Sequence, residues 1–207
     1  TQVKTTYKKY EHVISRSGYT ADQVAYMILR NAGITDVSIH HIPGDLTDNY
    51  NPREHTLNLS DKVYGSRSIA AIGVAAHECG HAIQHARHYV PLTVRSAIIP
   101  AANIGSSFAW PLVLIGLIIP RLNFCMTIGI LLFSLVVILQ LVTLPVEFNA
   151  SRRAIQIIRD SGYLAPDELK GAKSVLKAAA MTYVAAMVSV SLQLLRLVIL
   201  RNSRDDN

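Results

Sequence analysis

Residues 66–91 read SRSIAAIGVAAHECGHAIQHARHYVP, and at their centre stands His77-Glu78-Cys79-Gly80-His81, an HExxH sequence in a helical frame. Two histidines four positions apart share one helix face, with Cβ atoms about 6 Å apart, so both imidazoles can reach one Zn²⁺ at roughly 2.0–2.1 Å. Glu78 does not bind the metal; it stands where a carboxylate can take a proton from a zinc-bound water. The flanks predict the helix. Ser66 and Ser68 are able N-caps, Ile69, Ile72, Gly73, Ala76, Gly80 and Ile83 recur at three-four spacing, and Pro91 closes the segment. The small residues Ala70, Ala71, Gly73, Ala75, Ala76 and Gly80 let another helix approach closely. Only eight apolar residues, Ile69 to Ala76, precede His77, far too few to cross a bilayer, so this helix is not expected to be transmembrane. Cys79 lies about 200° around the helix from His77 and reads as a small buried residue facing away from the metal.

Beyond this helix the chain turns apolar. Half of the 207 residues are hydrophobic, 16% are charged, and the mean hydropathy is +0.28. No charged side chain occurs in residues 96–120, 122–146 or 178–195. Each run reaches the roughly 18 residues of a transmembrane helix. The first two, separated by Arg121-Leu122-Asn123, read as a tight membrane hairpin; membrane helices tolerate Pro100, Gly105 and Pro111 in the first. The net charge of +6 lies outside these runs, with ten Lys/Arg before the first and six between Glu147 and Lys177. That distribution is topological. By the positive-inside rule it puts the N-terminal region and the 147–177 loop in the cytoplasm and the Arg121 loop outside. Arg201 and Arg204 oppose that orientation mildly, offset by Asp205 and Asp206. No basic-aromatic interleaving supports nucleic-acid binding. Cys79 and Cys125 are not expected to pair. Lys4, Lys8 and Lys9 suit the cytoplasmic flank of an upstream membrane anchor.

The fold expected is an α-helical membrane protein with a small α+β cytoplasmic portion. Residues 1–95 form an α+β region with strands and the metal helix, 96–146 the transmembrane hairpin, 147–177 a further helix and cytoplasmic loop, and 178–207 a C-terminal transmembrane helix and tail. Within the first region, a helix (Tyr7, Tyr10, Val13, Ile14) ends at Gly18, and Thr20 caps a second one over Ala21–Asn31 that Gly33 stops. Residues 37–42 and 56–60 alternate like strands around a polar loop. The second strand, just before the metal helix, could pair with an extended substrate. Glu147 opens a helix to Arg159 that ends at Ser161-Gly162, and Pro166 starts another leading into the third apolar run.

A catalytic zinc needs a third protein ligand and a position left for water. The metzincin position six past His81 is Arg87. His85 continues the series but sits about 12 Å along the helix from His77. His12, His40, His41 and His55 read as surface or strand residues. Glu147 is the strongest choice. A carboxylate at a membrane boundary is costly without a partner, and two crossings joined by a short link return it to the side of the metal helix.

With Leu57-Asn58-Leu59-Ser60, residues 75–85 (AAHECGHAIQH) and residues 144–151 (LPVEFNAS) in view, the chain resembles the YugP-type membrane zinc metallopeptidases over nearly its whole length. More distantly it is similar to the HtpX heat-shock and CAAX prenyl proteases. These are gluzincins, whose third ligand is a Glu in an E-x-x-A-D-like helix. Glu147 and Ala150 match that pattern, and Ser151 replaces the acidic residue that orients a ligand histidine in those relatives. A serine can accept that hydrogen bond only more weakly. The resemblance implies a zinc metalloendopeptidase of the bacterial plasma membrane with its site on the cytoplasmic side. His77, His81 and Glu147 would hold Zn²⁺ and Glu78 would act as base on a peptide or membrane-protein substrate; a protein adapter or an oligomer is compatible with it. Arg152, Arg153, Tyr183 and His12 are eligible to steady the oxyanion. Two rival readings stand beside this one. The first is an intramembrane protease of the site-2 type, which would bury HExxH in a membrane helix and use an Asp ligand. The second is a non-catalytic zinc-containing scaffold or assembly partner, whose closed site would need a fourth ligand such as His85.

Overall fold

The computed structural model describes residues 2–205; Asp206 and its part in the C-terminal charge balance lie outside them. The chain divides into two compact units, Thr1–Tyr89 with Val146–Thr182, and Val90–Pro145 with Tyr183–Asn207.

The first unit begins with α1 (Gln2–Tyr10) and α2 (Ala21–Asn31). α1 is shorter than its sequence pattern predicts, because Val13–Ser15 is drawn into extended backbone pairing: Ile14 bridges Ser68, Ile69 N–H donates to the Val13 carbonyl and Ser15 N–H to that of Arg67. α2 forms as expected. The Thr20 N–H donates to Gln23 Oε1 at 3.0 Å, and Gly33 takes a positive φ of 77° just beyond its end. Its Val24, Ala25 and Ile28 are buried.

A three-stranded sheet follows, built from β1 (Ser38–Ile42), β2 (Asn49–Asn51) and β3 (Thr56–Ser60) in the order β1-β3-β2. β3 is parallel to β1 and antiparallel to β2. β2 lies in what the sequence presents as a polar loop. It also overturns the expectation that β3 receives a substrate strand: both edges of β3 are already paired, and its Leu57 and Leu59 are fully buried.

The helix that carries the HExxH sequence, α3 (Ile69–Ala86), is capped by Ser68, whose Oγ accepts from Ala71 N–H at 3.1 Å. It ends before Pro91. Arg87 is its C-cap, His88 has a positive φ of 50°, and Pro91 falls in the first turn of the next helix, α4 (Val90–Ile118). Proline suits that place because a first-turn N–H has no intrahelical partner. Two further helices contribute one end each to this unit: α5 (Asn123–Asp160) from Val146 onward and α6 (Pro166–Asp205) as far as Thr182. The small residues of α3 admit them. A Cβ on Gly80 would come within 2.7 Å of the Ala150 carbonyl oxygen on α5, and one on Gly73 within 3.2 Å of Ala172 Cβ on α6. On the other side of α3, Cys79 Sγ meets the Ala25 carbonyl of α2 at 3.6 Å.

The second unit holds α4, the start of α5 and the end of α6. α4 and α5 run antiparallel at close range: Gly105 faces Leu132, Gly129 faces Ala109 and Val113, and Gly116 faces Met126. Ala109, Val113, Met126, Ile130, Phe133 and Leu197 form its core. Large apolar side chains such as Ile104, Phe108, Leu131 and Leu192 are about 60% exposed, the surface expected of helices solvated by lipid. Among the described residues three stretches, Val90–Ile118, Pro120–Asp160 and Pro166–Ser203, are long and apolar enough to cross a membrane, and α3 is not among them. α5 is continuous through Pro145, so Glu147 sits inside a 38-residue helix and does not open a new one. Both cysteines are free.

Candidate metal centre

α3 presents His77 and His81 on one face, and the close contact at Gly80 brings α5 against that face with Glu147 one turn before Ala150. His77 Nε2 and His81 Nε2 stand 3.2 Å apart, and Glu147 Oε2 lies 3.3 Å from the first and 3.6 Å from the second. The two rings meet edge to face at 86°. Among the described residues, these are the three whose histidine or carboxylate ligand atoms converge closely enough to hold a metal ion. The set fits zinc. A tetrahedral ion with bonds of roughly 2.0–2.1 Å separates its ligand atoms by about 3.3–3.4 Å, close to the spacing found here. Both imidazoles turn Nε2 inward, and their Nδ1 atoms are engaged elsewhere: Ser151 Oγ lies 3.0 Å from His77 Nδ1, and Gln84 Oε1 lies 3.0 Å from His81 Nδ1. Ser151 therefore occupies the place that the sequence pattern reserves for a histidine-orienting side chain.

Burial disfavours the His81 imidazolium. The Glu147 carboxylate beside it, with the charge of Glu78, outweighs that penalty and holds His81 above the ordinary imidazole range. Glu78 is buried at 8% exposure on the same helix turn. Burial, reinforced by Glu78, pushes the Cys79 thiol far up and so disfavours its thiolate. A second carboxylate, Asp48, accepts from Ser60 N–H and Oγ at 2.7 and 2.9 Å. Its pKa is raised, first by burial and further by the charge of Glu78.

The family comparison agrees with this donor set. Residues 1–202 match the family described as "Putative neutral zinc metallopeptidase". The chain belongs to this zinc metallopeptidase family. It is 46% identical over 207 residues to the protein named "Putative membrane protease YugP" of Bacillus subtilis (strain 168), covering 100% of this chain and 92% of that one. No solved structure matches the chain at a significant level.

The remaining candidates lie apart from the cluster. His85 Nδ1 is 2.9 Å from Tyr50 Oη on β2, and its ring meets that of His55 edge to face at 5.5 Å. His55 in turn pairs with Asp36 at 2.6 Å, and His41 with Asp61 at 2.8 Å. His40 contacts Ser38 Oγ. His12 is 87% exposed beside Glu11. Arg152 is exposed, Arg153 Nε donates to Asn149 Oδ1 at 2.8 Å, and Tyr183 belongs to the second unit. The roles of Gln84, Asn149, Tyr50 and Asp48 were not foreseen. Gln84 alone carried a signal, standing three residues past His81 on the same helix face.

Proposed function

We propose that the chain is a membrane-embedded zinc metalloendopeptidase that hydrolyses peptide bonds at the membrane surface, with His77, His81 and Glu147 as metal ligands. The observation that carries this reading is the convergence of His77 Nε2, His81 Nε2 and Glu147 Oε2 at 3.2–3.6 Å spacing. When bound, zinc supplies Lewis acidity, which makes water a nucleophile near neutral pH and polarises the scissile carbonyl. Glu78 accepts the water proton on its carboxylate and later delivers it to the leaving amine nitrogen. Burial of Glu78 keeps bulk water from competing for that proton. Ser151 and Gln84 hold the two imidazoles at their outer nitrogens. The basic residues flanking the apolar helices favour a cytoplasmic position for the site in a bacterial plasma membrane.

A non-catalytic scaffold would need a fourth protein ligand to close the site. His85, the candidate for that place, is turned to Tyr50 and His55. The site-2 reading needs the metal helix inside the bilayer, and α3 lacks the length of apolar sequence.

Glu78→Gln separates enzyme from scaffold. Zinc content is expected to stay at the wild-type level while hydrolysis of a fluorogenic polypeptide by the purified protein falls by about 10²–10⁴-fold. Undiminished hydrolysis would remove Glu78 as the base.

A further inference from the structure

We infer that Gln84, Asn149 and Arg153 form a one-way hydrogen-bond chain that holds a hydrogen on His81 Nδ1, so that Nε2 is the one ring nitrogen offered to a metal. The inference rests on the ligand assignment proposed above.

Every link has only one allowed direction. The Arg153 guanidinium can only donate, and its Nε gives a hydrogen bond to Asn149 Oδ1 at 2.8 Å. That fixes which end of the Asn149 amide faces inward. The same oxygen accepts a second bond, from Gln84 Nε2 at 3.0 Å. Gln84 Nε2 also donates to the Val146 carbonyl at 2.8 Å, and a carbonyl can only accept. Both amide hydrogens of Gln84 are therefore spent on α5, and its Oε1 must turn to His81 Nδ1 at 3.0 Å. An amide oxygen has nothing to donate, so Nδ1 must carry the hydrogen. With Nδ1 committed to Gln84, Nε2, which faces His77 and Glu147, is the ring nitrogen left to a metal. Gln84 is fully buried, so water does not compete for its own hydrogen bonds. The chain also ties α3 to α5 on both sides of Glu147, because Val146 and Asn149 bracket it.

His77 is prepared differently. Its Nδ1 faces Ser151 Oγ, and a hydroxyl can donate or accept. Ser151 therefore permits either His77 tautomer, whereas Gln84 permits one for His81. Gln84, Asn149 and Arg153 touch neither substrate nor metal and are positioning residues.

The test reads the tautomer itself. Full-length protein labelled with ¹⁵N-histidine, in detergent and stripped of metal by chelation, is observed by long-range ¹H–¹⁵N NMR across a pH series. His81 is expected as Nδ1–H in the wild type and in Gln84→Glu, which keeps an acceptor at Nδ1. It is expected to leave that form in Gln84→Leu, which has none. Zinc affinity, measured by competition with a chromophoric chelator, is expected to fall about 10–100-fold in Gln84→Leu. A purely structural role would affect both variants alike. A His81 whose Nδ1 carries no hydrogen in the metal-free wild type overturns the inference, and that spectrum decides the matter even if Gln84→Leu does not fold. An unchanged tautomer in Gln84→Leu overturns it equally. Absence of zinc binding by the wild type would instead refute the metal assignment, while the tautomer would still be read.

Discussion

Replacing Gly80 with alanine tests whether the metal centre depends on the spacing of α3 and α5. The added Cβ would lie 2.7 Å from the Ala150 carbonyl oxygen, 3.1 Å from its Cα and 3.2 Å from its carbonyl carbon. All three are backbone atoms, so no side chain can rotate away. Restoring ordinary contact requires α5 to retreat by roughly 0.5–0.7 Å. Overpacking of this kind costs about 1–3 kcal/mol. Glu147 precedes Ala150 by one turn on the same face and would retreat with it. Metal-ligand distances tolerate only about ±0.2 Å, so the displacement exceeds what one ion can bridge without distortion. The expectation is a lower unfolding temperature and a zinc affinity reduced at least as far as the roughly 10–100-fold of an outer-shell loss. Gly73→Ala is the control. Its Cβ would meet Ala172 Cβ at 3.2 Å, a tight contact one turn before His77 but against α6, which carries none of the proposed ligands. It should lower stability slightly and leave zinc affinity alone. If Gly80→Ala bound zinc as tightly as Gly73→Ala, the helix contact would not set the ligand geometry.

Glu147→Ala should lose more zinc affinity than any outer-shell variant, that is, beyond about 10–100-fold, as read by metal analysis after dialysis; retained zinc would refute its role as ligand. Ser151→Asp should tighten zinc binding by holding His77 in the Nδ1–H form, and Ser151→Ala should loosen it, both measured by chelator competition. Cys79 should resist alkylation in the folded protein and react only on denaturation, since burial suppresses its thiolate. Asp36, lowered by its hydrogen bond to His55, and Asp61, lowered by the Gly44 N–H and then by His41, should make the sheet acid-sensitive. A depressed carboxylate contributes stability above its unfolded pKa of about 3.9 and loses it as pH falls through the lower folded value. The melting-temperature gap between wild type and an Asp36→Asn/Asp61→Asn double variant should therefore narrow as pH falls from about 5 to about 3; a gap that widens over that range contradicts this.

How legible these features are in the sequence depends on how local their causes are. α2 can be read to the residue because its stop and start signals, Thr20 with Gln23 and Gly33, lie within the helix and its immediate flanks. The face shared by His77 and His81 follows from helical periodicity alone. Glu147 could be reached only through a longer argument, the cost of a carboxylate at a membrane boundary. β2 escapes because Asn-Tyr-Asn has no apolar alternation; its pairing is set by β3 across a turn. The true end of α1 escapes because Val13 and Ile14 suit a helix face as well as the extended bridge to Ser68 that they make. The boundary at Glu147 misleads in the opposite direction. The helix that Glu147 is expected to open is the continuation of α5, which runs unbroken through Pro145, as helices of membrane proteins can.

The same contrast separates the hydrolase reading from the scaffold reading at one side chain. His85 lies one turn past His81, so periodicity alone leaves it free to approach the metal or to leave it. Its direction is set from outside the helix. Tyr50, which reaches α3 only because β2 pairs with β3, takes His85 Nδ1 at 2.9 Å, and His55 packs on the ring from the turn before β3. The proposed set then stays at three protein ligands, the number that a hydrolytic zinc site uses and a closed structural site exceeds. A small sheet that carries none of the metal ligands thus bears on the chemistry by engaging the side chain that could have closed the site. On this account His85→Ala should leave zinc affinity as it is, whereas a fourth-ligand role requires His85→Ala to lose affinity as steeply as Glu147→Ala.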